Sequence, residues 1–160
     1  MIDKCQFNLH QIALAVRMYI EDWDKRFPPA DRWCDAIRPY IKDWSVLTCP
    51  AVAERGGKWG YAMNWKLSKR FLGEVEDPAH TVVVYETENL RKNACGDGRD
   101  LPRKGRHAGG NNFAFVDGHV RWLRADIEEP IGLFRLKKGP GFRFPPRPKG
   151  MPEGACPVCW

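Results

Sequence analysis

Serine is almost missing. Ser45 and Ser68 are the only two, and neither stands in a G-x-S-x-G context, which removes the strained strand-to-helix elbow that exposes a hydrolase nucleophile. Long hydrophobic runs are missing too: no stretch of about 18 apolar residues occurs, so nothing in the sequence as it stands spans a membrane as a helix. No secretory signal pattern opens it. One C-x-x-C is present, Cys156-Pro157-Val158-Cys159, but there is no second one and no H-x-x-x-H. By chain spacing alone, structural zinc is therefore short of ligands and is disfavoured. No histidine follows Cys159, so the C-x-x-C-H haem attachment pattern is absent. Gly96-Asp97-Gly98 is too short to cradle a phosphate.

Net positive charge is scarce over most of the chain. The formal charge is +6, but residues 135–160 hold Arg135, Lys137, Lys138, Arg143, Arg147 and Lys149 against Glu153 alone, a balance of +5. The other 134 residues carry the remaining +1, and no basic face is implied for them. Six of the 13 prolines fall between residues 140 and 157. The sequence therefore divides into a globular domain, residues 1–134, and a basic Pro/Gly-rich tail, residues 135–160, expected to be extended and irregular.

What remains is enough for one folded domain. The chain has 160 residues, 43% apolar and 29% charged, the balance of a globular protein with its own core. Six cysteines in a chain this short suit disulfides, with 15 complete pairings open.

Residues 3–25 read as a long helix. Cys5, Leu9, Ile12, Val16, Tyr19 and Trp23 recur at helical spacing along one side, and Phe27-Pro28-Pro29 ends it. Asp31 is a candidate N-cap for a short second helix carrying Trp33, Ile37 and Ile41, which Pro39 would kink or shorten. Trp59 to Trp65 reads as a strand with Tyr61 and Met63 on one face. His80 to Thr87, β-branched and aromatic, is the clearest single strand. Asn89 to Gly105 is rich in turn residues and reads as a long surface loop, and Asp126 to Pro130 as a turn.

Arg106 to Leu123 reads as a β-hairpin folded at Asp117-Gly118, a strong signal for a two-residue type I′ turn. In that register Phe113 faces Trp122 and Phe115 faces Val120. All four side chains then share one face, which the first helix is expected to cover. The fold class that follows is α+β, one long N-terminal helix packed on a small antiparallel sheet.

Several short motifs run in a familiar order. They are Cys5-Gln6-Phe7-Asn8-Leu9-His10-Gln11-Ile12 into Met18-Tyr19; Arg26-Phe27-Pro28-Pro29; Trp33 with Pro39-Tyr40-Ile41; Leu47-Thr48-Cys49-Pro50; Trp59-Gly60-Tyr61-Ala62-Met63-Asn64; and His80-Thr81-Val82-Val83-Val84. The last is His107, nine residues, Asp117-Gly118, then His119-Val120-Arg121-Trp122-Leu123. Over about residues 5–123 the chain resembles the prepilin-like proteins that end in an H-x9-DG processing-associated domain, relatives of type IV pilins and type II secretion pseudopilins. The resemblance implies a pilin-like fold, a structural rather than enzymatic role, and partners that are other pilin-like subunits in a homo- or hetero-oligomeric filament. Such proteins begin with a leader and a hydrophobic half-helix. The resemblance implies that this sequence starts late or is truncated, that any membrane contact runs through the missing N-terminal segment, and that the domain lies outside the cell, at its surface or in the periplasm. In such a compartment disulfides persist. Because Cys5 and Cys49 both sit in matching motifs, the resemblance implies a Cys5–Cys49 bridge; Cys34–Cys95 would then tie the second helix to the long loop, and Cys156 and Cys159 would close a tight ring within the tail or each reach elsewhere.

His107 admits two roles. One is a metal ligand or a general base with Asp117, in a small metal-dependent enzyme. The favoured one is a structural brace, with the imidazole bonding the Asp117-Gly118 turn or a backbone carbonyl and pinning the loop onto the hairpin, because a lone histidine and a turn aspartate do not make a catalytic constellation. No other cofactor is expected, although oxygen ligands cluster at Glu86, Glu88, Asp97 and Asp100, where calcium would fit. The alternative function is an extracellular binding module for an anionic polymer, nucleic acid included, or a carbohydrate, using the tail and some of the seven tryptophans.

Overall fold

The computed structural model describes residues 2–125. The tail, the 134/135 boundary, the 126–130 turn, Cys156 and Cys159 lie outside the described residues. Helix α1 runs Ile2–Asp22, 21 residues and about 31 Å at 1.5 Å per residue. Its buried side carries Cys5, Leu9, Ile12, Val16 and Tyr19, the stripe the periodicity marks out. Leu9, Ile12 and Val16 are each at most 2% exposed, worth about 1.5–3 kcal/mol apiece in removed apolar surface. Trp23 departs from the stripe. The chain leaves the helix there through Asp24 and Lys25 at φ 53° and 59°. Trp23 is 58% exposed and stacks on Tyr19 with ring centroids 5.4 Å apart.

A 3-10 turn Ala30–Arg32 leads into α2, Trp33–Ile37, and a second 3-10 turn, Arg38–Tyr40, contains Pro39. Asp31 is not the cap. It lies inside the first turn, and the α2 amide of Cys34 is met instead by the Asn93 side chain at 2.8 Å. Helix α3, Pro50–Glu54, starts from Cys49.

The strands are β1 Tyr61–Asn64, β2 Val82–Glu86, β3 Cys95–Gly96, β4 Gly110–Phe115 and β5 Val120–Arg124, in the order β3-β1-β2-β4-β5. The domain is α+β, but the sheet is mixed, because β3 runs parallel to β1. The long loop supplies that strand. Two residues of backbone pairing leave no trace in hydrophobic period, and this one is anchored by Trp33 Nε1 and the Met63 amide, which donate to the Ala94 carbonyl at 2.8 and 3.0 Å.

The hairpin also differs from its expected register. Ala114 pairs with Val120, Phe113 with Arg121 and Asn112 with Trp122, a shift of one residue. Gly118 alone is left-handed, at φ 98°. The Gly118 amide donates to the Phe115 carbonyl and the Phe115 amide to the His119 carbonyl, both at 2.9 Å. This is a three-residue loop with a glycine bulge rather than a type I′ turn. The slip moves Val120 and Trp122 to the opposite face from Phe113 and Phe115. The helix-covered face is the one with Tyr61, Met63, Val84, Ala114 and Val116. Phe113 and Phe115 pack on the far face with Ala62, Val82, Tyr85 and Leu101. The expectation that both phenylalanines lie under α1 is thus corrected. The sequence pattern puts them on one face together but does not say which face the helix takes.

Candidate functional site

Four polar side chains from four separate segments meet under the first turns of α1. Cys5 comes from the helix. Cys49 comes from the residue before α3, its backbone held by a 2.9 Å bond to the Trp59 carbonyl and by accepting from the amides of Val52 and Ala53. Glu86 ends β2. His107 precedes β4. Cys5, Cys49 and Glu86 are 0% exposed and His107 is 4% exposed.

His107 is placed by a tight reversal. Its amide and carbonyl both bond Gly110 at 3.0 Å, and the two residues between, Ala108 and Gly109, have φ 51° and 80°. Two positive φ values in a two-residue loop are the type I′ signature. That turn exists in this molecule, nine residues before the place the Asp-Gly signal puts it. Trp122 Nε1 donates to the His107 carbonyl at 2.8 Å. A side chain on Gly110 would meet that indole at 2.4 Å, so the close approach requires glycine.

The geometry is tight. His107 Nε2 lies 2.9 Å from Glu86 Oε1 and 3.5 Å from Cys49 Sγ. Cys5 Sγ donates to Glu86 Oε1 at 2.5 Å and stands 3.1 Å from the Tyr61 hydroxyl. Glu86 also accepts from the Asn112 amide and side chain at 3.0 and 3.1 Å. Arg106 donates to the carbonyls of Gly60, at 2.8 Å, and Thr87.

Charge follows this packing. Burial, the Cys49 contact and the Glu86 charge push the Cys5 thiol far up, so it is neutral. Cys49 is pulled well down: the contact with Cys5 outweighs burial, and His107 and Arg106 add to it. Burial alone would lower His107, but the contacts to Cys49 and Glu86 raise it. Burial would raise Glu86, yet the bonds from His107, Cys5 and Asn112 hold it low. These directions favour an anionic Cys49 beside a protonated His107.

A thiolate–imidazolium pair with a carboxylate has the composition of a nucleophilic triad but not its wiring. A triad uses one ring nitrogen for the nucleophile and the other for the orienting acid. Here Cys49 and Glu86 both address Nε2. The sulfur is also sealed from solvent. The four ligand-type atoms lie within 4.8 Å of one another, and all four residues are buried.

The other candidates lie elsewhere. His107 does not brace Asp117. Asp117 is bonded by His119, two residues on, through Nδ1 at 2.5 Å and the amide at 3.1 Å, and its carbonyl accepts from Arg17 of α1 at 2.5 Å. Gly118 serves the loop bulge. The Cys5 and Cys49 sulfurs are brought together as the motifs imply, but at 4.0 Å both are free thiols, since a disulfide needs about 2.05 Å. Cys34–Cys95 is not formed either: Cys34 is a free thiol, whereas Cys95 is disulfide-bonded.

The carboxylates considered for calcium do not converge. Glu86 points to the helix side. Asp100 accepts from Tyr85, at 2.6 Å, and Thr87. Asp97 pairs with Arg99, and Glu88 is exposed. What sequence reasoning missed is the joining of Cys5, Cys49, Glu86 and His107, with Tyr61 and Asn112 beside them. Spacing rules look for ligands close in the chain, and these are 44, 37 and 21 residues apart. No family model, curated protein or solved structure matches this chain.

Proposed function

We propose that this domain is the globular part of a pilin- or pseudopilin-like filament subunit, acting by assembly rather than catalysis. The observation that carries the reading is a second apolar row on α1. Phe7, Leu14 and Met18 are 59%, 54% and 44% exposed. At 100° per residue they fall within one narrow stripe, opposite the buried one. A helix that buries one face in its own sheet and offers another apolar face is built to pack against a further helix. The occupant that fits is α1 of a second copy or of a similar subunit, which presents the same row. The sealed cluster favours the same reading, since it offers a substrate no access.

Sedimentation over a rising concentration series tests this. Self-association is expected, and Leu14→Glu with Met18→Glu should abolish it without lowering the melting temperature. A chain that stays monomeric, or associates equally well with both substitutions, defeats the proposal.

A second reading has its own observation. Arg55, Arg103, Lys104 and Arg106 line one side groove of about 640 Å³, with Glu88 as the acid among them. That suits an anionic polymer bound by this domain rather than by the tail. Salt-dependent binding to a sulfated polysaccharide, lost in Arg103→Ser/Lys104→Ser and kept on removing residues 135–160, would establish it.

A further inference from the structure

We propose that Cys5, Cys49, Glu86 and His107 bind one zinc ion, which fastens the first turns of α1 to the sheet. The inference is independent of the assembly reading.

The donor set is the first argument. Two thiol sulfurs, one imidazole and one carboxylate are zinc's ligand types, and four protein ligands make a closed structural centre. Softer or harder cations fit less well. Calcium and magnesium want six or more oxygens or retained water, whereas half of this set is sulfur.

The distances are the second. Bonds of about 2.3 Å to sulfur and about 2.0–2.2 Å to nitrogen and oxygen place tetrahedral ligand pairs about 3.3–3.8 Å apart. Cys5 and Cys49 stand at 4.0 Å and Cys49 and His107 at 3.5 Å, and all four atoms lie within 4.8 Å of one another. The two shorter separations, 2.9 and 2.5 Å, both end on Glu86 Oε1. That oxygen is accepting hydrogen bonds from the protonated forms of the other ligands. Moving it outward by roughly an ångström, with loss of the Cys5 and His107 protons, opens the centre.

The surroundings are the third. Ligands of a metal are held by further hydrogen bonds, and here those bonds exist. The Tyr61 hydroxyl faces Cys5 Sγ, the Asn112 backbone amide holds Glu86 Oε2 at 3.0 Å, and the Asn112 side-chain amide, 3.1 Å from Oε1, orients the oxygen that would face the ion. The charge also closes. Two thiolates and a carboxylate against Zn²⁺ leave one negative charge, and the Arg106 guanidinium sits across Gly60 from Cys49. A Cβ on that glycine would lie 3.1 Å from Arg106 and 3.2 Å from Cys49. A buried centre of net zero charge avoids the desolvation cost of an unpaired one.

The experiment is metal analysis of the full chain, purified under reducing, oxygen-free conditions and supplied with zinc. One zinc per chain is expected for the wild type and for Cys34→Ser, whose thiol is buried outside the cluster. Cys49→Ala and His107→Ala should hold less than a tenth of that. Tyr61→Phe should weaken binding by about tenfold, as loss of a ligand-orienting hydrogen bond does. Zinc retained in full by both ligand variants would place it outside the cluster and overturn the proposal. So would a wild type without metal, or one in which Cys5 and Cys49 are joined as a disulfide. Because the ligand variants risk misfolding, wild-type protein is also examined by X-ray absorption at the zinc edge. Two sulfurs with two nitrogen or oxygen neighbours supports the assignment; four sulfurs or none refutes it.

Discussion

The two faces of the sheet are built from the same strands and do different work. Along β2, Tyr85 looks away from α1 and Glu86 looks toward it. Along β4, Asn112 faces the helix and Phe113 faces away. The far face is an aromatic plug, with Phe113, Phe115 and Tyr85 closed over by the loop that contains β3. The helix face mixes aliphatic packing with a sealed polar cluster. Strand alternation alone separates packing from chemistry here, and one step of register decides which residue does which.

The comparison breaks most visibly at Phe113. Phe113→Ala removes a ring that is 1% exposed, and the expected loss is about 3–5 kcal/mol, read from urea denaturation. Hydrogen exchange should quicken in β2 and β4, while the first turns of α1 change only with the global loss. Glu86→Gln tests the other face. In metal-free protein it keeps the shape but removes the charge that His107, Cys5 and Asn112 address, for about 1.5–3 kcal/mol. There the first turns of α1 should exchange faster than the far-face strands. Equal acceleration everywhere would show that the two faces are not separable units.

Tyr85→Phe comes next. It deletes the hydroxyl that bonds Asp100 at 2.6 Å and should cost about 1–1.5 kcal/mol by the same measurement. The smallest effect is at Asp35, which pins the start of the far-face loop through Lys92 at 2.7 Å and Asn93 at 2.8 Å. Those bonds, Lys92 first, hold the Asp35 carboxyl below its usual range. Its stabilising share is therefore present above the unfolded value near pH 4 and lost as pH falls through the lower folded value. The pair is half exposed, so the gap between wild type and Asp35→Asn should be at most about 0.5 kcal/mol. A gap that stays constant between pH 6 and 2 would show that Asp35 does not act through its charge.

The parts of this fold legible in sequence are those with a long period. The α1 stripe from Cys5 to Tyr19 and the β2 core from Val82 to Glu86 stand where their patterns put them. Short-range signals were less secure. Asp117-Gly118 marks a hairpin, but Asp-Gly suits both a type I′ turn and a glycine bulge, and the two differ by one residue of register. The cluster was half legible. The motif argument brings Cys5 to Cys49, but it has no means of adding Glu86 and His107, whose approach depends on the Ala108-Gly109 turn and on the end of β2. A helix capped from a distant loop, as Asn93 caps α2, is likewise invisible to local rules.

The place of Cys5 on α1 has a mechanical meaning. It lies one turn into a helix about 31 Å long, near its N-terminal end. A pull along the helix axis from that end reaches the cluster before it reaches Leu9, Ile12 or Val16. Apolar contacts slide under shear, whereas directional bonds at Cys5 must rupture. The cluster is thus placed as a clasp between the first turns of the helix and its sheet.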